Sequence, residues 1–186
     1  MTKRVLFVQG AGEGTHGQWD NKLVRSLKRE LGTEYSVAYP RMPNEADPRY
    51  SAWKAVLLDA FDQLDNGSVL IGHSIGGTVL IHVLAEVRLK FAPDVLILIA
   101  PPFIGNGGWP SEDIRPRTDL ADRLPPGMPV FLFHATEDQT VPFAHALLYA
   151  KAIPHAVLRV LSHRDHQLNN DLGEVARDVL SLSSQR

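Results

Sequence analysis

The sequence contains no cysteine, so disulfides, thiolate metal sites and cysteine nucleophiles are all excluded. It has no strong excess of either charge: 19 Lys and Arg against 21 Asp and Glu give a formal net charge of −2, with no basic run anywhere. A chain with so weak a field has no general attraction for nucleic acid or an anionic membrane. Long apolar runs are missing too. No stretch reaches the ~20 apolar residues that a membrane-spanning helix needs, and Val5 to Val8, behind the basic Lys3-Arg4, is too short for a signal peptide. A soluble, cytoplasmic protein is the expectation. Internal repeats, low-complexity tracts and linkers are also absent, so residues 1–186 are read as a single domain, long enough for a substantial core.

What is present is an alternation of short apolar runs and helical patterns. Val5 to Val8 is a continuous apolar run of the kind buried on both faces of a parallel sheet. From Gln18 to Leu31 apolar residues recur at helical spacing (Trp19, Leu23, Val24, Leu27, Leu31), with Gly32 as a C-cap. Further strands are expected over 35–39, 69–71, 94–100, 128–134 and 156–161. Helices are expected over 50–64, from Ser74 to about Lys90, over 141–152 and over 168–182, with a helical turn at 119–124. Strand–helix alternation of this kind implies a mostly parallel sheet covered by helices on both faces, a three-layer α/β/α arrangement. The Pro- and Gly-rich stretch 101–117 is expected to be an irregular loop beside the functional site.

The most informative stretch is Val69-Leu70-Ile71-Gly72-His73-Ser74-Ile75-Gly76-Gly77. A buried strand stops at G-x-S-x-G and a helix begins at once, which is the layout of a nucleophile elbow. Glycines on either side of Ser74 let strand and helix approach closely while the hydroxyl is pushed into solvent. The Ile75 amide, at the helix N-terminus, is then aimed at any negative charge forming on a bound carbonyl oxygen.

A serine hydroxyl needs an adjacent base, itself held by a third group. Loops after later strands supply both: Glu137-Asp138 before a helix, then His163-Arg164-Asp165-His166 ahead of the last helix. Chemistry alone leaves Glu137 and His134 beside Asp138, and His163 beside His166. The order Ser74, Asp138, His166 is that of the α/β-hydrolases. The loop Gln9-Gly10-Ala11-Gly12-Glu13-Gly14-Thr15-His16 is a poor dinucleotide fingerprint, because Thr15 stands where the third glycine belongs and no acidic residue ends the second strand. The remaining histidines, His16, His73, His82, His145 and His155, read as ordinary packed or solvated side chains.

Taken together, Gly72-His73-Ser74-Ile75-Gly76-Gly77, Glu137-Asp138-x-x-Val141-Pro142 and Asp165-His166-Gln167-Leu168 resemble the α/β-hydrolase superfamily. More narrowly, they resemble the small lidless serine hydrolases related to the retinoblastoma-binding serine hydrolase. The resemblance implies a compact core of about six mostly parallel strands in the order 2-1-3-4-5-6, with the site at the switch point between strands one and three. It also implies catalytic Ser74, Asp138 and His166, with an oxyanion hole formed by the amides of Ala11 (Gly12 second) and Ile75. Gln9 stands where many relatives carry His, which leaves a backbone role untouched. Gly12, His73, Phe103 and Trp109 are the candidate substrate-pocket residues. The expected function is hydrolysis of a small ester, with amidase, peptidase, thioesterase or a catalytically weak binding role as alternatives. No metal, cofactor, nucleic-acid or membrane partner is implied, and a protein partner is left open.

Overall fold

The computed structural model describes residues 2–183. Its elements are β1 (Lys3–Val8), α1 (Asp20–Leu31), β2 (Tyr35–Ala38), α2 (Tyr50–Phe61), β3 (Val69–His73), α3 (Ile75–Glu86), β4 (Val95–Ile99), α4 (Leu120–Arg123), β5 (Val130–Ala135), α5 (Ala144–Ala152), β6 (Val157–Leu161) and α6 (Gly173–Ser183). All strand pairings are parallel, in the order β2-β1-β3-β4-β5-β6. The alternation anticipated from the sequence is therefore realised, strand order included.

Period-two geometry sorts the continuous apolar strands into two cores. Val5, Phe7, Val69, Ile71, Val95, Ile97, Phe131 and Phe133 face Leu23, Val24 and Leu27 of α1 and Val175, Ala176 and Val179 of α6. Leu6, Val8, Leu70, Leu96, Leu98, Val130 and Leu132 face Trp53 and Leu57 of α2, several residues of α3 and Tyr149 of α5. Because both faces are covered, a strand must be apolar at every position; β3 and β4 are buried throughout. The edge strands β2 and β6 are not so enclosed, and β6 exposes apolar side chains such as Val157 and Val160. Among the described residues no helix is long and apolar enough to cross a membrane.

Three local departures from the sequence expectation matter for the site. The helix expected from Gln18 is preceded by a wide turn over Thr15–Trp19, and α1 itself begins at Asp20. This leaves Trp19 half exposed rather than on the buried stripe. The helix after Ser74 stops at Glu86 instead of near Lys90, as Val87 turns extended and Phe91 packs edge-on against Phe61. The last helix starts at Gly173, not Leu168, because Leu168, Asn169 and Asn170 have φ of 50°, 56° and 59°. Asparagine tolerates this left-handed conformation better than most residues, while Leu168 is held in it with its side chain buried.

Candidate active site

The loops after β1 and β3 diverge where the strand order reverses, opening the crevice in which parallel α/β sheets bind ligands. Ser74 occupies the turn between β3 and α3 with φ 51° and ψ −131°, a conformation costly for a residue with a Cβ. It is held there by its own N–H donating to the Ile99 carbonyl at 2.8 Å and by its carbonyl accepting from the Gly77 amide at 2.9 Å. The flanking glycines are dictated by contact distance. A Cβ on Gly72 would lie 2.5 Å from the Gly77 Cα, and one on Gly76 would lie 2.0 Å from the Gln9 carbonyl oxygen. No side chain fits either gap.

From the loop after β5, Asp138 is buried and oriented by its own backbone: Oδ1 accepts the amides of Thr140 at 2.8 Å and Val141 at 2.9 Å. Its other oxygen, Oδ2, accepts the Nδ1–H of His166 at 2.7 Å. Burial opposes ionisation of Asp138, but the hydrogen bond and charge of His166 and the two amides outweigh it, so the carboxyl lies below its usual range. His166 Nε2 is thereby left as the ring nitrogen with no hydrogen-bond partner among the described residues. Ser74, His73 and His166 line one cavity of about 310 Å³, together with Gly10, Ala11, Gly12, Glu13, Thr15, Trp19, Thr140 and Gln167. Nucleophile–base contacts are often open without substrate and tighten when it binds.

The competing side chains sit elsewhere. His163 is exposed, and its amide donates to the Glu137 carboxylate, so those two residues close a surface turn outside the cavity. His134 is buried behind Asp138, 3.5 Å away, with Nε2–H donating to the Val141 carbonyl at 2.7 Å. Burial lowers its pKa. It braces the Asp138 loop from below.

The glycine-rich loop after β1 is stitched down by residues that sequence reasoning passed over. Glu45 accepts the Gly14 amide at 3.0 Å, the His16 amide at 2.9 Å and the Gln9 side-chain amide at 2.7 Å, while its carbonyl accepts Gly12 N–H at 2.6 Å. Burial resists the Glu45 charge, yet these donors win and its pKa is lowered. The Gly10 amide goes to Asp20 Oδ2 at 2.7 Å. With the amides of residues 10, 12, 14 and 16 committed, Ala11 N–H has no acceptor among the described residues, and neither does Ile75 N–H at the first turn of α3.

Of the residues expected to shape the pocket, Gly12 lines the cavity wall. His73 lines it as well, but at 1% exposure and with both ring nitrogens hydrogen-bonded it contributes a fixed, already paired ring rather than a free donor or acceptor. Phe103 and Trp109 do not line this cavity. The Pro102 carbonyl is held by Thr78 Oγ1 at 2.6 Å and the Tyr149 hydroxyl at 3.1 Å, which draws the following loop toward α5. There Phe103 packs on Tyr149 and Trp109 on His145. The aromatic at the cavity is Trp19, placed by the wide turn before α1. Among the described residues no group of three or more His, Cys, Asp or Glu is arranged to hold a metal ion.

A parallel sheet in this order, with a strained serine between β3 and α3, defines an α/β-hydrolase architecture. The model of the alpha/beta hydrolase family matches residues 5–180, and the chain belongs to that family. Solved structures agree on the fold. The ydeN gene product of B. subtilis superposes with a TM-score of 0.76 at 21% identity, covering 98% of this chain and 100% of that one. Est1E from Butyrivibrio proteoclasticus gives 0.72 at 16% identity, covering 99% and 88%. XC6422 from Xanthomonas campestris, described as a serine hydrolase without a lid, gives 0.68 at 17% identity, covering 100% and 83%. No curated protein matches the sequence. Kinship with the retinoblastoma-binding group rests on the sequence motifs alone.

Proposed function

We propose that the protein is a serine hydrolase that cleaves small carboxylic esters through an acyl-enzyme. The observation that carries this reading is the 2.7 Å bond between Asp138 and His166 Nδ1, which frees Nε2 on the cavity shared with the Ser74 turn. His166 takes the hydroxyl proton as Ser74 Oγ attacks the carbonyl carbon. The negative charge moves to the carbonyl oxygen, toward the uncommitted amides of Ala11 and Ile75. Collapse expels the alcohol, which takes the proton from His166. Water then repeats the sequence on the acyl-serine, with His166 again as base, releasing the acid. Asp138 keeps its proton-free form throughout and stabilises the imidazolium.

The cavity is small and open, and no cap domain intervenes between β4 and β5. A long acyl chain would leave most of its methylenes in water, forgoing about 0.8 kcal/mol for each that an enclosing tunnel would bury. Short acyl groups are therefore the expected substrates. A fluorophosphonate probe should label the wild-type protein and not Ser74→Ala, which should remain folded. With p-nitrophenyl esters below their critical micelle concentrations, kcat/KM should level off after a few acyl carbons. Absence of labelling would leave a binding role; a continuous rise to long chains would refute the shallow site. Parallel assays with amides and thioesters of the same acyl group decide which acyl bond is cleaved.

A further inference from the structure

We propose that Asp20 and His73 form a buried, net-neutral ion pair that locks three active-site loops together and makes both of them positioning residues for the serine chemistry. The proposal rests on the hydrolase reading above. Asp20, the first residue of α1, is fully buried, and its Oδ2 accepts both the Gly10 amide at 2.7 Å and His73 Nδ1 at 2.8 Å. His73 Nε2 lies 3.0 Å from the backbone carbonyl of His166. One carboxylate oxygen thus connects the oxyanion loop, the residue preceding Ser74 and the backbone of the base.

Proton placement follows from donor and acceptor counting. The His166 carbonyl can only accept, so Nε2 carries a proton. A second proton must lie in the Nδ1···Oδ2 contact, because Asp20 Oδ1 has no hydrogen-bond partner and a proton there would find no acceptor among the described residues. The unit holds two protons and no net charge, and with the shared proton on Nδ1 it is a carboxylate with an imidazolium. The groups facing His73 are Asp20 from α1, Asp138 from the loop after β5 and His166 from the loop after β6. Burial alone would lower the His73 pKa. The charge and hydrogen bond of Asp20, the His166 carbonyl and the charge of Asp138 together raise it instead. The two imidazole rings lie 4.8 Å apart, so a displaced His73 displaces the base.

Asp20→Asn breaks this arrangement without removing volume. The same atom must receive Gly10 N–H and His73 Nδ1–H. If the amide oxygen takes that place, His73 loses its ion partner, becomes neutral and can donate to Asn or to His166, not both. If the amide nitrogen takes it, Gly10 N–H is orphaned. Either way one of three loops is released. The expected result is a fall in kcat of about 10- to 100-fold, since small misplacements of reacting groups cost that much, with KM changed less than about two-fold. The acid limb of the kcat/KM profile should stay in place, because one neutral unit replaces another.

The test combines p-nitrophenyl acetate kinetics of folded Asp20→Asn with NMR of the ¹⁵N-histidine-labelled wild-type protein, His73 being assigned through His73→Gln. Both His73 nitrogens should be protonated at pH 7. Wild-type kcat in a folded Asp20→Asn protein overturns the positioning role. A singly protonated His73 at pH 7 in the wild type overturns the ion pair, even where the variant fails to fold. If the wild type takes no fluorophosphonate, the hydrolase reading and the positioning role fall together, and NMR still decides the ion pair.

Discussion

Replacing Asp138 by Asn tests the chemistry with almost no change of shape. The side chain has two unlike jobs: Oδ1 accepts two backbone amides, from Thr140 and Val141, and Oδ2 accepts His166 Nδ1–H. An amide can serve only one of them. Keeping its oxygen on the two amides preserves two bonds, whereas the flipped form sets an NH₂ against two N–H donors, so the first orientation wins. The NH₂ group then faces His166 Nδ1, which must become an acceptor, and the ring proton moves to Nε2. That tautomer cannot take a proton from Ser74. By analogy with the same change in other serine hydrolases, kcat should fall about 10⁴-fold, or about 5 kcal/mol of transition-state stabilisation. KM should move little, because no wall of the cavity is altered. The assay is steady-state ester hydrolysis together with the rate of fluorophosphonate labelling, on protein shown by circular dichroism and urea unfolding to be folded. A folded Asp138→Asn protein within ten-fold of wild type would refute the assignment of Asp138 as the residue that fixes the imidazole.

Other expectations concern stability and specificity. Gly76→Ala should cost about 3 kcal/mol or more in urea unfolding, because its Cβ would meet the Gln9 carbonyl oxygen at 2.0 Å and the Val8 carbonyl oxygen at 2.8 Å, both backbone atoms; a loss below about 1 kcal/mol would contradict the close-approach argument. Burial first, then the Arg117 charge, pushes the His82 pKa down to about 4. The unfolded chain therefore takes up a proton near pH 6.5 that the folded one refuses until about pH 4, and up to about 3 kcal/mol of stability is lost as pH falls through that window. His82→Gln should flatten this part of the pH–stability curve, and parallel curves would refute it. Trp19→Ala should raise KM for aryl esters about ten-fold, while Trp109→Ala should leave it within about two-fold, since Trp19 lines the cavity and Trp109 packs on His145; the reverse ranking would show that the substrate lies over the loop after β4.

The sequence alone determined the layers, because strands buried on both faces must be apolar at every position and helices on only one stripe. It also marked the turn at Ser74, since Gly72 and Gly76 stand where strand and helix backbones meet. The order serine, acid, histidine was legible for the same local reason: each residue follows its own strand. Choosing Asp138 over Glu137, and His166 over His163, needed the family resemblance. The structure separates those pairs by burial, with His163 in solvent and His166 bonded to Asp138.

Only the tertiary structure decided what holds the site together. Asp20 and His73 are 53 positions apart and read separately as a helix residue and a packed histidine; the pairing of β1 with β3 brings them to 2.8 Å. Glu45 lies in a polar loop with no motif, yet it gathers the amides of the glycine-rich loop. Trp19 fitted the apolar stripe of α1 until the wide turn at Thr15–Trp19 rotated it outward, and the Pro102 carbonyl drew Phe103 and Trp109 the other way. Local patterns record what each segment does with its own backbone. Which distant carboxylate or aromatic arrives beside it depends on strand order and loop anchoring, and no spacing within a segment encodes those.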